Sequence, residues 1–261
     1  MRLDISGLTF SYDGKRKILN DISLSFHEGE FVAILGRNGA GKTTFFKNLL
    51  GLLKCQEGRM SIDGAELAGL SVRERAKRLA YIPQSTSTVF SYSVLTSVLM
   101  GTTNNISTLS TPSEAQYRRA RLAMEKFGIA TLAGRTVDSL SGGERQLVLC
   151  ARAIAQQADV LIFDEPTSNL DWGNQIRTLS TIRGLVGEGY LALVSTHNVE
   201  QALNYASRLV LLDGGRIVAD GSPGELASSS ILGEFYDLEV DISRINGHYV
   251  CIPKGEGNVV D

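Results

Sequence analysis

The sequence predicts an α/β fold: a mostly parallel sheet covered by helices, with an antiparallel β subdomain at the N-terminus and an α-helical subdomain inserted midway. Three observations carry this. Four short, continuous apolar runs, FVAIL (31–35), VLIF (160–163), YLALV (190–194) and LVLL (209–212), read as strands buried on both faces, as parallel strands are. The first runs into a pattern that places Phe45, Phe46, Leu49, Leu50 and Leu53 on one helical face. From about residue 85 to 158, strand signal gives way to helical signal.

In chain order, RLDISGLTF and DISLSF alternate apolar and polar residues, as half-buried antiparallel strands do. Ser71 and Glu74 have the spacing of a helix capping box. The helical insert reads as SYSVLTSVLMG, SEAQYRRARLAMEKFG and GERQLVLCARAIAQQ, with the polar loop TTNNISTLSTPS after the first of these. LDGGRIVADG predicts a late hairpin turning at Gly214-Gly215. LEVDISRINGHYVCIP predicts another, turning at Asn246-Gly247. We expect one domain over residues 1–238, its helical part at about 85–158, and a small extension over 239–261.

Composition narrows the function. The chain has 261 residues, 43% of them apolar, enough for a substantial core. A net charge of −2 gives no general attraction to nucleic acid, and no nucleic-acid partner is expected. Cys55, Cys150 and Cys251 form no disulfide framework, suit a reducing compartment and have no metal-ligand spacing. The N-terminus lacks the apolar core of a signal peptide, and no apolar run approaches the ~20 residues of a membrane helix. The expectation is a soluble chain that reaches a membrane only through a partner.

Residues 36–43 read GRNGAGKT and match G-x-x-x-x-G-K-[ST] in full, between a buried strand and a helix. Glycines let successive backbone N–H groups face inward around a phosphate, and the helix N-terminus adds partial positive charge. Gly36, Arg37, Asn38, Gly39, Ala40, Gly41, Lys42, Thr43 and Thr44 are the candidate phosphate-binding residues. Lys42 reaches the outer phosphates in this reading, and the Thr43 hydroxyl binds Mg²⁺. Asp164 and Glu165 follow VLIF at the carboxyl end of a strand, where α/β sheets place ligands. Asp164 is the second candidate for Mg²⁺, and Glu165 the general base for an attacking water. His197 ends ALVSTH at another strand end, where an imidazole could bond a γ-phosphate or that water. Gln84, after AYIP, has an uncharged amide that could touch both Mg²⁺ and water. A solvated Asp-Glu pair and a structural histidine are the plainer alternatives.

Residues 140–146 read LSGGERQ. Ser141 and Glu144 form a capping-box spacing, but a cap does not need two glycines. Gly142 and Gly143 leave the first helical turn bare, which suits close approach of an anion.

Taken together, the P-loop at 36–43, Gln84 in YIPQ, the LSGGE stretch, the FDE run, SNLD at 168–171 and His197 resemble the ATP-binding cassette (ABC) ATPases over roughly residues 2–235. The resemblance implies a P-loop NTPase, RecA-like core that binds ATP and Mg²⁺ and hydrolyses ATP. It implies a second cassette packed head to tail, a second copy of this chain being the first candidate, so that Ser141 and Gly143 of one chain meet the phosphate held by the other. It implies that Asp171 lies at that seam and that Tyr12 stacks on adenine. Glu144 stands where many members have Gln. Within the family, VFSYSVLTSVLMG and SGGERQLVLCARAIAQ resemble cassettes that serve iron-siderophore, haem and cobalamin uptake. That implies permease subunits, an extracytoplasmic substrate-binding protein acting indirectly, and a place on the cytoplasmic face of the membrane. The segment between Gln84 and about Gly101, with Phe90, Tyr92, Leu95 and Val98, is the expected permease contact. A soluble member acting on DNA or ribosomes and an exporter cassette remain alternatives.

Overall fold

The computed structural model describes residues 1–84, 91–105 and 111–254. The chain opens with β1 (Arg2–Ser11), β2 (Lys17–His27), β3 (Phe31–Leu35) and α1 (Lys42–Leu49). β4 (Glu57–Ile62), the two-residue β5 (Ala65–Glu66), α2 (Val72–Arg78) and β6 (Leu79–Ile82) follow. Next come α3 (Val94–Leu99), α4 (Glu114–Lys126) and α5 (Gly142–Ala155), with 3₁₀ turns between them. β7 (Val160–Asp164), α6 (Trp172–Gly187), β8 (Leu191–Thr196), α7 (Val199–Tyr205) and β9 (Arg208–Asp213) complete the alternation. The chain closes with β10 (Arg216–Gly221), α8 (Pro223–Leu226), α9 (Ser229–Tyr236), β11 (Val240–Ile245) and β12 (His248–Pro253).

The main sheet has the order β10-β9-β3-β8-β7-β6, parallel except for the β9–β10 hairpin. Every residue of β3, β7 and β8 is buried, so these strands carry no polar face. Strand alternation then divides the core. Ala80, Leu161, Phe163, Ala192 and Val194 face the helical layer of α3 to α6. Leu79, Val160, Ile162, Leu191 and Leu193 face α1 and the second sheet, β2-β1-β4-β5, which is antiparallel. A third cluster joins Ala33, Leu35, Leu209 and Leu211 to α7, α8, α9 and Val240.

Several details depart from the sequence reading. α1 ends at Leu49, after eight residues, so Leu53 is not on its face, although it still packs at the edge of the same cluster. Gly51, at φ 67°, bends the chain away first. The sequence reading did not pick out β4, β5 or β6. Of the expected permease contact, Val98 is fully buried core, Leu95 packs partly against it, Tyr92 is 43% exposed, and Phe90 lies outside the described residues. Within the expected extension, residues 240–253 fold as the predicted hairpin, with Val240 buried in the third cluster. No helix among the described residues is long and apolar enough to cross a membrane.

Candidate active site

The loop between β3 and α1 is built by glycines with separate tasks. A Cβ on Gly36 would sit 2.7 Å from the Leu212 carbonyl oxygen of β9, closer than packing allows. Gly39 and Gly41 adopt φ 81° and 108°, in the left-handed region that favours glycine. No side chain caps α1 and no acidic residue occupies its first turn, which leaves N–H groups free for an anionic ligand. Lys42 is only 7% exposed along its side chain. Its Nζ donates to the Gly36 carbonyl at 2.6 Å and lies 3.7 Å from Glu165 Oε1. Burial lowers the Lys42 pKa, with Glu165 and Asp164 opposing that shift. An ammonium so desolvated fits a site that receives a polyanion.

The acidic wall comes from β7. Asp164, 3% exposed, receives three hydroxyls: Ser195 Oγ donates to Oδ1 at 2.6 Å, and Thr43 Oγ1 and Tyr81 OH donate to Oδ2 at 2.8 and 3.2 Å. Burial and the Asp164 charge push the Tyr81 phenol well above its ordinary pKa, so it remains a donor. Glu165 stands at φ 49°, a conformation uncommon outside glycine, and its N–H donates to the Ser195 Oγ at 3.0 Å and carbonyl at 3.2 Å. That fixes the carboxylate at the strand end. Gln84 Nε2 donates to Glu165 Oε2 at 3.0 Å, and His197 Nδ1 lies 3.5 Å from the same oxygen.

These groups border a cleft of about 890 Å³, lined by Tyr12, Ile18, residues 37–44, Gln84, Glu165, Ser168 and His197. Gly36 and Asp164 are not in the lining but accept hydrogen bonds from the lining residues Lys42 and Thr43. The Tyr12 ring stands edge-on to Phe10 at 4.9 Å, is 61% exposed, and its hydroxyl lies 3.2 Å from Thr44 Oγ1. No group of three or more His, Cys, Asp or Glu among the described residues could hold a metal alone. The contact of Thr43 Oγ1 with Asp164 Oδ2 pairs two hard oxygens. That fits Mg²⁺, which takes few protein ligands and completes its shell with water and phosphate.

A family model described as ABC transporter matches residues 19–168. An uncharacterised ABC transporter ATP-binding protein of Haemophilus influenzae is 39% identical over 250 residues, 95% of each chain. A hemin import ATP-binding protein of Bordetella pertussis is 37% identical, over 93% of this chain and 94% of its own. The chain belongs to the ABC transporter family. Among solved structures, a chain from a transporter described as metal-chelate type, in an inward-facing conformation, superposes with a TM-score of 0.84 at 29% identity, covering 97% of this chain and 98% of that one. The cassette is an ABC transporter ATPase, and its nucleotide is ATP.

Of the residues singled out in the sequence, the cassette brings Tyr12, residues 37–44, Gln84, Glu165 and His197 to one cleft. Ser141 and Gly143 do not line it. They sit at the N-terminus of α5, where Ser141 and Glu144 form a complete capping box and Ser141 is exposed. Ser141 N donates to Glu144 Oε2 at 2.8 Å, and that bond holds the Glu144 carboxyl below its ordinary pKa. Asp171 caps α6 by accepting from Asn174 N. Sequence reasoning missed Ser195 and Tyr81, which orient Asp164, and Asn169, whose Nδ2 donates to the Gln84 carbonyl at 3.4 Å. Ser195 and Tyr81 lie inside apolar strands, where no local pattern separates a functional hydroxyl from a tolerated one.

Proposed function

We propose that this cassette is the ATP-hydrolysing subunit of an importer for an iron-siderophore, haem or cobalamin-type substrate. It would sit on the cytoplasmic face of the membrane against permease subunits, with an extracytoplasmic binding protein delivering cargo to them. The observation that carries the catalytic part is Glu165, whose carboxylate is held by Gln84 on one oxygen and faces Lys42 with the other. Residues 36–44 bind the phosphates through backbone N–H groups and Lys42. Thr43, Asp164 and Gln84 would hold Mg²⁺, which when bound neutralises phosphate charge. Glu165 takes the proton of the attacking water, and His197 and Gln84 position that water and the γ-phosphate. The exposed face of Tyr12 takes the adenine ring. Ser141 and Gly143 complete the site of a partner cassette, an arrangement supported by their place outside their own cleft, with Ser141 exposed and Gly143 half-buried.

The cargo part rests on the named import function of the Bordetella relative and the description of the metal-chelate transporter. Its test is ATPase activity of the cassette reconstituted with its permease and binding protein, presented with iron-siderophores, haem and cobalamin in turn. Stimulation by one of the three is expected. Stimulation by none would overturn the cargo class, and turnover driven by cargo from the cytoplasmic side would overturn the importer reading; either leaves the ATPase intact.

A further inference from the structure

The C-terminal hairpin is fastened to α7 at its backbone. Asn204 Oδ1 accepts from Tyr249 N at 2.8 Å while its Nδ2 donates to the Tyr249 carbonyl at 2.9 Å, and Glu200 Oε1 accepts from Cys251 N at 2.8 Å. Glu200 and Asn204 are four residues apart, so they share one face of the helix. They satisfy the outer edge of β12, whose other edge pairs with β11. Val240 is buried in the cluster that holds Leu203 of α7, and Tyr249 and Cys251 pack against it.

What the clamp holds is a helix of seven residues that buries only Ala202 and Leu203 in that cluster, so its placement leans on its neighbours. Its N-cap, Asn198, directly follows His197. Asn198 Oδ1 accepts from Gln201 N at 2.9 Å, and Asn198 N donates to Thr196 Oγ1 at 3.0 Å, so the histidine backbone and the first turn move together. From another face of α7, Gln201 Oε1 accepts from Thr167 Oγ1 at 2.9 Å, tying the helix to the segment after Glu165. The His197 ring itself is 61% exposed, and its 3.5 Å approach to Glu165 is too long to hold it as a hydrogen bond does. With no hydrogen bond on the ring, the backbone at His197 decides which space the imidazole can reach, and that backbone is tied to α7.

We propose that the C-terminal hairpin is a positioning element for His197, with Glu200 and Asn204 as the positioning residues that clamp β12 to α7. The proposal rests on the reading of His197 given above. Loosening the clamp lets α7 shift or rotate, and the imidazole loses its place beside Glu165 and the γ-phosphate while the phosphate loop is untouched.

The test uses the full-length cassette in its assembled transporter, with Glu200→Ala, Asn204→Leu, Glu200→Gln, Cys251→Ala and His197→Ala. Glu200→Gln keeps the oxygen that accepts from Cys251 N, and Cys251→Ala keeps that N–H. Glu200→Ala and Asn204→Leu should lower kcat roughly tenfold, as a displacement of an ångström or less can, with KM for ATP within about twofold. Glu200→Gln and Cys251→Ala should match the parent. Glu200→Ala added to His197→Ala should cost nothing more, because the two act through one group. A normal kcat in Glu200→Ala and Asn204→Leu beside an inactive His197→Ala would overturn the clamp alone. So would a loss that persists on top of His197→Ala, or a lowered Tm and kcat that Glu200→Gln fails to restore. A normal His197→Ala would remove His197 from catalysis, and the clamp's purpose with it.

Discussion

Replacing Glu165 with Gln separates binding from chemistry. The carboxylate is 13% exposed and touches Lys42 and Gln84 through different oxygens. Gln keeps the shape and can still accept from Gln84 Nε2 through its own oxygen. Its NH₂ then faces Lys42 Nζ donor to donor at 3.7 Å, so Lys42 loses a supporting charge and is held by the Gly36 carbonyl until phosphate arrives. Removing the negative charge also frees Lys42 from a competing counter-ion, so ATP affinity should hold or rise. Loss of a general base costs about 10²–10⁴ in rate. At about 1.4 kcal/mol per decade, that is about 3–5 kcal/mol of barrier. The assay is paired: equilibrium binding of ATP with Mg²⁺, and single-turnover release of phosphate by the same preparation. Glu165→Gln should bind as the parent does and hydrolyse at least a hundredfold more slowly. Hydrolysis within tenfold of the parent would show that another group takes the proton.

Two further outcomes follow from the site. Gly36→Ala forces a Cβ to 2.7 Å from the Leu212 carbonyl and 3.0 Å from Ala40 Cβ, so it should destabilise the cassette by about 1–3 kcal/mol in denaturant unfolding; unchanged stability would mean the loop and β9 separate easily. At the N-terminus of α5, Glu144 has a folded pKa below 4.5 because the Ser141 N–H and hydroxyl favour its charged form. Its contribution is present above the unfolded pKa and lost as pH falls through the folded one. The stability gap between the parent and Glu144→Gln, measured by denaturation, should be constant near neutrality and shrink in acid below about pH 4.5. A gap independent of pH would show that the charge plays no part in the cap.

Much of the site was legible because its parts have local signatures. The glycine spacing of 36–43 demands the positive φ seen at Gly39 and Gly41, and continuous apolar runs marked the strands that end at Asp164 and near His197. Gly36 was legible as part of the motif but not in its task, which is set by β9, far away in sequence. β6 escaped because LAYI is too short to tell from the end of a helix, and with it went the Tyr81 hydroxyl on Asp164. Ser195 escaped because its partner lies 31 residues earlier on a neighbouring strand. The end of α1 was misplaced because Leu53 keeps the helical spacing after Gly51 has turned the chain, and it packs half-buried at the cluster edge without belonging to the helix. The hairpin at 240–253 announced its turn at Asn246-Gly247, but its docking on α7 is tertiary and left no trace in the local pattern.

The central claim is that the phosphate loop and the Ser141–Gly143 turn work in different chains. It is tested by mixing two disabled cassettes in a Glu165→Gln background, one carrying Lys42→Ala and the other Gly143→Asp. The Asp carboxylate would stand where a partner's γ-phosphate approaches, and like charges repel there. Each mutant paired with itself lacks a complete site. A heterodimer, isolated through two different tags, has one site with both lesions and one with an intact loop facing an intact turn. The account predicts one trapped ATP per heterodimer and none in either homodimer. No trapped nucleotide in verified heterodimers would contradict it.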